Sequence, residues 1–556
     1  MDEKEIKETD IWVLYNKHVD YARMHGFFDE IDKNNNFFNG DQWVGLQIEG
    51  VEPVQYNFIK PIVNHKVNII TKNLRAINYS ADNIEGTEFR KTAKEVCDLF
   101  NQRAARVWEK DQLDDKCKKI IRQAAINSEG IMYVSYDDED NNPKNEILNK
   151  VDVFYGNENE PDIQLQPYIL AKKRLSVVEA KELAKFYEVS DDDISKIVGD
   201  DDTTDEAGIS AKDEVNPMVT IITKFYKKDG VIHFDKSTKT VEICKDKNMG
   251  TTRYPFCHTL WSDKEGSARG EGEVRTLISN QIETNKNLLR RLIAVKNTAY
   301  PQKVYNSDKI KNPEAIGVVG GMIEVQGVNV DDVHKAFAIS NPGQMSPDAE
   351  KLQNELISTT RELANAGDIA TGSVNPEQAS GRAILAVQQA NDQPLDDQSL
   401  ALNTMLEDMA RIWMEMWKVH NKDGMKLESI ETDPISGDDI IKIKEIDSNV
   451  LEKLKTSVKI DVTPKSAYDK YAQELSLENL SQTNLFMNTA WLKDYVSLLD
   501  SDATMPKLKL EELIKKREAA QERIRNIQRI GNIIQSKTQQ LIDTGEIMPR
   551  DEVYPM

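Results

Sequence analysis

GDIATGSVNPEQASGRAILAVQQ, residues 367–389, lies between two strong helical patterns. Gly367, Gly372, Gly381 and Pro376 punctuate it, and only Asp368, Glu377 and Arg382 carry charge. Small polar residues with glycine and proline at this density read as a loop. The rest of the chain is rich in charge, at 30% Asp, Glu, Lys and Arg. A nearly neutral, flexible loop between two long helices is therefore the feature around which the rest is arranged.

On its N-terminal side, Ser346-Pro347-Asp348 spells a helix start with proline at the first helical position. That helix runs to about Ala366 through Leu352, Leu356 and Leu363. Residues 301–343 before it are short and strand-like, broken by Gly317, Gly320, Gly321 and Gly327. Earlier still, Glu273–Thr298 is one continuous helical pattern with Val274, Ile278, Ile282, Leu289, Leu292 and Val295 on a stripe. Its length is roughly 39 Å at 1.5 Å per residue, and Tyr300-Pro301 ends it.

On the C-terminal side a long helix begins near Gly381, with a kink expected at Pro394. It continues with Leu402, Met405, Met409, Ile412, Met416 and Val419 on one face. The stripe of Met405, Met409, Trp413, Met416 and Trp417 reads as core. Residues 425–463 read as strands plus a short helix, and 467–545 as helical. The final helix carries Leu513, Ala520, Ile524, Ile527, Ile534 and Leu541, expected to pack on neighbouring helices and on a second subunit.

The N-terminal half is mixed. Residues 1–60 read as a helix, a loop and the turn motif FFNGDQW, with Phe37, Phe38 and Trp43 anchoring the turn at Asn39-Gly40-Asp41. A helix follows around Ile59, Ile62, Val63, Val67 and Ile70, then a helical region at 87–128 and a strand at Ile131–Asp137. Residues 137–146 and 189–216 read as acidic loops, and 218–245 as strands with a hairpin at Asp229-Gly230. The fold class is α+β.

The 556 residues allow several domains. The net charge of −22 argues against tight phosphate binding over most of the surface, though a passage for sliding DNA needs only weak contact. Mean hydropathy is −0.58, and no uncharged apolar run is long enough for a membrane span. MDEKEIKETD has no apolar core, so no signal peptide is expected. Cys97, Cys117, Cys244 and Cys257 are expected as free thiols.

No catalytic pattern emerges. The chain has no phosphate-binding G-x-x-x-x-G-K-[ST] loop, no G-x-S-x-G and no H-E-x-x-H. Gly270-Glu271-Gly272 lacks the third glycine of a dinucleotide loop. The histidines are scattered, and His258 beside Cys257 cannot make a zinc site alone. The acidic run at 137–146 lacks the glycine of an EF-hand and contains Pro143. Neither a cofactor nor a metal is expected.

The order of parts resembles the portal protein of tailed bacteriophages. QYNFIKPIVNHKVNIITKN (55–73) is similar to an early portal helix, and EGEVRTLISNQIETNKNLLRRLIAVKNTAYP (271–301) to a first stem helix entering the clip. TGSVNPEQASGRAILAVQQ (371–389) is similar to a tunnel loop and following helix start, and SVKIDVTPKSAYDKYAQEL (457–475) to the strand and turn before the crown. The resemblance implies a wing at 1–270, a first stem helix at 271–300, a clip at 301–345 and a second stem helix at 346–366. It further implies a tunnel loop at 367–381, a kinked wing helix with strands at 382–466, and a helical crown at 467–556.

It also implies a homododecameric ring at one capsid vertex, a conduit for double-stranded DNA in packaging and ejection. The implied partners are terminase, then head-completion and tail adaptors, with major capsid and scaffold proteins around the ring. The implied location is the virion, after assembly in the host cytoplasm. Thr371, Gly372, Ser373, Val374, Asn375, Gln378 and Ser380 would line the bore. A dense charge repeated around a ring would hold or repel DNA, whereas neutral groups touch and release it.

Lys286, Arg290, Arg291, Lys296, Lys303, Lys309 and Lys311 cluster near the end of the first stem helix. They suit a lumen-facing belt, an anchor for an acidic motor or adaptor surface, or salt bridges to Glu350, Glu355 or Glu362. Two other readings stand beside the portal: a scaffold or adaptor protein that never meets DNA, and a metal-dependent nuclease built on Asp137–Asp140.

Overall fold

The computed structural model describes residues 8–43, 52–82, 87–200, 217–299, 303–329, 333, 335–339, 348–364, 393–432, 439–463 and 507–544. The described residues form two compact units, one from 1–70, 117–133 and 146–402, the other from 71–116, 134–145 and 403–556.

In the first unit, α1 (Asp10–Met24) starts where the Thr9 side chain accepts the Trp12 amide at 3.3 Å. Helix α2 (Phe27–Asn39) stops at Gly40, whose φ of 105° admits the left-handed conformation. The expected loop is thus a second helix, and Phe37 and Phe38 are buried at its end. Helix α3 (Ile59–Ile70) follows, with Ile59, Ile62, Val63, Val67 and Ile70 buried as their spacing predicts.

Past β1 (Leu74–Ala81) and α4 (Thr87–Lys110), both in the second unit, come α5 (Leu113–Asn127), β2 (Glu129–Asp137) and β3 (Asn142–Leu148). Next are β4 (Val153–Tyr155), β5 (Tyr168–Ser176), α6 (Val177–Phe186), α7 (Asp191–Ser195), β6 (Met218–Lys228), β7 (Val231–Ser237), β8 (Glu242–Asn248) and β9 (Phe256–Leu260).

Strands β4-β5-β6-β7-β8 form an antiparallel sheet in that order. Asp229 and Gly230, with φ of 53° and 80°, make the tight turn between β6 and β7. Neighbouring residues point to opposite faces. Tyr155, Ile169 and Phe225 pack with Tyr254 and Phe256 on one side, while Phe154, Leu170 and Ile222 pack against Trp12 and Tyr15 of α1 on the other. Helix α6, opened by a capping box between Ser176 and Glu179, lays Ala180 and Ala184 on Val219 and Ile221.

The acidic stretch expected as loop from 189 is in part helical. Ser190 caps α7, and Asp191, Asp192 and Asp193 fill its first turn, where carboxylates favour the helix dipole. Asp200 pairs with Arg174 at 3.2 Å; residues 201–216 lie outside the described residues.

Helix α8 (Glu273–Ala299), strands β10 (Lys303–Tyr305) and β11 (Phe337–Ile339), and helix α9 (Asp348–Leu363) complete this unit with the short turn Gln393–Leu395. The two three-residue strands pair with each other. Pro394 sits in that turn, directly ahead of the next helix; the expected helix start at Gly381 lies outside the described residues.

The second unit is built on α10 (Asp396–His420), which begins at the end of the first unit. Met405, Met409, Trp413, Met416 and Trp417 are all buried, as the stripe predicts. Trp417 stacks on Phe100 of α4 with centroids 5.2 Å apart, and Tyr79 of β1 donates its hydroxyl to the Ala410 carbonyl at 2.9 Å. Strands β12 (Met425–Thr432) and β13 (Asp439–Ile446) form a hairpin. After α11 (Ser448–Lys453), β14 (Thr456–Thr463) pairs antiparallel with β1, placing Tyr79 opposite Val458. Helix α12 (Lys507–Asp543) ends the described chain. No helix among the described residues is long and apolar enough to cross a membrane.

Candidate functional site

Helix α8 is fixed at its start by charge. Lys66 of α3 pairs with Glu273 at 2.7 Å, both largely buried, and the Trp261 indole donates to the same carboxylate at 3.1 Å. About two and three turns on, Gln281 receives the Phe58 amide at 3.2 Å and donates to the Tyr56 carbonyl at 2.8 Å, while Asn285 donates to Gln42 at 2.5 Å. Uncharged amides that satisfy backbone groups in this way fix a helix without burying an unpaired charge.

A polar seam joins α8 to α9. Asn280 donates to Thr360 at 3.0 Å, Asn287 to the Ala349 carbonyl at 2.8 Å, and Arg291 to Gln353 at 2.6 Å. Gln353 and Thr360 are buried, whereas Leu352 and Leu363 of α9 are 50% and 75% exposed. Of the three leucines that run through this helix, Leu352 and Leu363 therefore point away from the seam, while Leu356 is half-buried. The polar side chains between the helices find hydrogen-bonding partners across the seam. On α8, Val274, Ile278 and Leu288 are buried, but Val295, expected on the same stripe, is exposed.

The basic residues singled out in the sequence meet different fates. Arg291 turns onto α9 of its own chain, with Glu350 at 4.0 Å. Lys286 pairs with Glu283 at 2.7 Å and holds that carboxyl below its usual range by hydrogen bonding. Arg290 and Lys296 are exposed. Lys303 donates to the Ile316 carbonyl, Lys311 pairs with Glu324 at 3.1 Å, and the Lys309 amide donates to Asn306. Thr371, Gly372, Ser373, Val374, Asn375, Gln378 and Ser380 lie outside the described residues.

One cluster escaped the sequence reading. Glu129, at the start of β2, has a fully buried side chain that accepts from Arg269 and from the Tyr155 hydroxyl at 3.2 Å, with Lys150 at 3.8 Å and His258 at 3.5 Å. Arg269 also pairs with Glu158 at 2.9 Å and lies between the rings of Phe27 and Tyr155. Burial pushes the Glu129 carboxyl up, but Arg269, His258 and Lys150 outweigh it and hold the group well below the usual carboxylate range. Burial alone depresses Arg269, but Glu129 and Glu158 outweigh it and raise the group above its ordinary value. Such a network, with each charge compensated, holds β2, β4 and the segment leading into α8 together. An acid inside an apolar strand, EGIMYV, was the signal available for it.

The acidic hairpin at 137–140 shows turn chemistry. Asp137 accepts the Glu139 and Asp140 amides, Asp138 meets His420 at 3.0 Å, and Asp140 pairs with Lys110 at 2.5 Å. No group of three or more His, Cys, Asp or Glu suited to a metal ion occurs among the described residues. Cys97, Cys117, Cys244 and Cys257 are free and buried.

The family model described as Phage P22-like portal protein matches residues 166–541, about two thirds of the chain. The chain belongs to the P22-like phage portal protein family. No curated protein matches it significantly. This portal protein is thus a structural component of a bacteriophage virion and not an enzyme. The match takes in α8, α9 and all but the last residues of α12.

Proposed function

We propose that this portal protein forms a dodecameric ring at one capsid vertex, with α8 and α9 as stem, 301–345 as clip and 367–381 as the loop lining the bore. The double-stranded genome is packaged and ejected through it. Terminase docks on the clip side and gives way to head-completion and tail adaptors, while capsid and scaffold proteins surround the wing after assembly in the host cytoplasm. The observation that carries this reading is the α8–α9 pair: its inner seam is polar, and Leu352, Leu363 and Val295 face outward. Two helices with such a seam are too thin to make a core of their own and leave apolar surface for a neighbouring copy.

Arg291 and Lys286 each have an acidic neighbour in their own chain, and in this reading the exposed Arg290 faces DNA or an acidic partner. In the loop, neutral hydrogen-bonding groups suit a passage that phosphates must clear. The test is a DNA-packaging assay. Ser373→Ala should leave the rate unchanged. Val374→Lys with Gln378→Lys should stall translocation while rings still form. A normal rate for that double variant would remove the loop from the bore.

A further inference from the structure

The stretch YARMHGFF, residues 21–28, sets two rings four positions apart and then breaks the helix at Gly26. Residues four apart share a helix face. The His25 ring therefore lies on Tyr21 at the end of α1, with centroids 4.1 Å apart. Gly26, with φ of 66°, turns the chain so that Phe27 lines the same cleft, which measures about 330 Å³ in the first unit. Clefts of roughly 300–1,000 Å³ are the size that holds small ligands.

Phe27, the more buried of these rings, shows what they attract: Arg269 lies 4.6 Å and Lys150 4.9 Å from its centroid. Tyr21 is 50% exposed and has no cation over it among the described residues. An aromatic face is negative and favours a cation. Burial lowers the pKa of His18, so this lining ring is uncharged near neutral pH and does not repel one. Carboxylates also outnumber cations on the lining. Glu158 is held by Arg269, which is itself shared with Glu129. Glu30 divides one guanidinium, that of Arg275, with Glu271, at 3.1 and 3.3 Å. Glu265 has no ion pair among the described residues, and Lys264 is the one lining cation not already spent there.

We propose that this cleft accepts an arginine or lysine side chain from a basic segment of a partner protein. The Tyr21 ring would meet the face of the cation, and Glu265 would offset its charge. Met24, three residues on from Tyr21 and 84% exposed, extends the apolar edge beside the cleft. That edge gives the partner's backbone and flanking side chains a surface to lie on, which a free small cation would not use. A peptide is therefore favoured over a free polyamine. The site lies within one chain and does not depend on ring assembly.

The experiment titrates the full-length protein into a fluorescein-labelled peptide of alternating arginine and glycine and follows anisotropy. Tyr21→Ala and Glu265→Gln are each expected to weaken binding roughly two- to fivefold. Tyr21→Phe keeps the ring and should bind like the parent. Glu182→Gln, which removes an exposed carboxylate of α6, should also bind like the parent. An equal loss in Glu182→Gln would overturn the proposal, because it would mark a general attraction to a chain of net charge −22. Unchanged binding in both Tyr21→Ala and Glu265→Gln would overturn it as well. So would an equal loss in Tyr21→Phe, which would take the ring face out of the contact. Tighter binding of the matching glutamate and glycine peptide would overturn it and assign the cleft to an anion held by Lys264.

Discussion

Arg291 of α8 donates a 2.6 Å hydrogen bond to the buried side-chain oxygen of Gln353 on α9. The two residues are 62 positions apart, and the bond closes the outer end of a seam that Asn280–Thr360 opens. Arg291→Ala would strand the Gln353 amide, and stability should fall by about 1–3 kcal/mol in denaturant unfolding. Arg290→Ala, one position away and exposed, should stay within about 0.5 kcal/mol of the parent. Equal effects would mean that the seam does not join these helices.

Glu129 should dominate the acid sensitivity of the first unit. Its carboxyl is held below the usual range, so its stabilisation is complete above the unfolded value near 4.3 and is lost progressively as pH falls below it. Glu129→Gln breaks a buried pair with Arg269 and should cost about 3–5 kcal/mol at neutral pH. The variant should also lose stability less steeply on acidification than the parent. Unfolding curves at neutral and acid pH check both points, and an unchanged pH slope would remove Glu129 from the account.

In the second unit, Trp413 is fully buried and donates its indole N–H to Asn145 at 3.1 Å. Trp413→Ala should destabilise by about 3–5 kcal/mol. Trp413→Phe should cost less, since it keeps most of the volume and loses the hydrogen bond. A silent Trp413→Ala in calorimetry would contradict the core assigned to α10.

These sites also show what could be read before the structure. Helix α8 was legible to within a residue because nothing between Glu273 and Ala299 interrupts the helical period. The Met and Trp stripe of α10 was legible for the same reason. The turn at Asp229-Gly230 was legible because few residue pairs tolerate two positive φ angles. The pairing of Tyr79 with Val458 was not, since no local pattern links strands so far apart in the chain. The packed face of α9 was not legible, because hydropathy favours Leu352 over Gln353 while the seam is chosen by hydrogen bonding. Helix α7 was missed although Ser190 and Asp193 have the spacing of a capping pair; the acidic run obscured it. The loop residues Thr371 to Ser380 rest on the order of parts and on the family.

The isoleucines of α12 were expected to be packed. In the single chain Ile527 is 69% exposed, with Ile524 and Ile534 exposed beside it. In the proposed ring, a neighbouring copy would bury them. Ile527→Asp should leave unfolding of the dissociated chain within about 0.5 kcal/mol of the parent and should shift the oligomer towards dissociation. Sedimentation at several concentrations checks this, and an unchanged oligomer would show that the stripe faces no second copy.

In the proposed assembly, outward apolar groups on α8, α9 and α12 serve a closed ring around a DNA channel. Electron microscopy of the purified full-length protein tests it most directly. Closed rings with a central hole wide enough for a duplex are expected. Monomers or dimers alone, under every assembly condition, would contradict it.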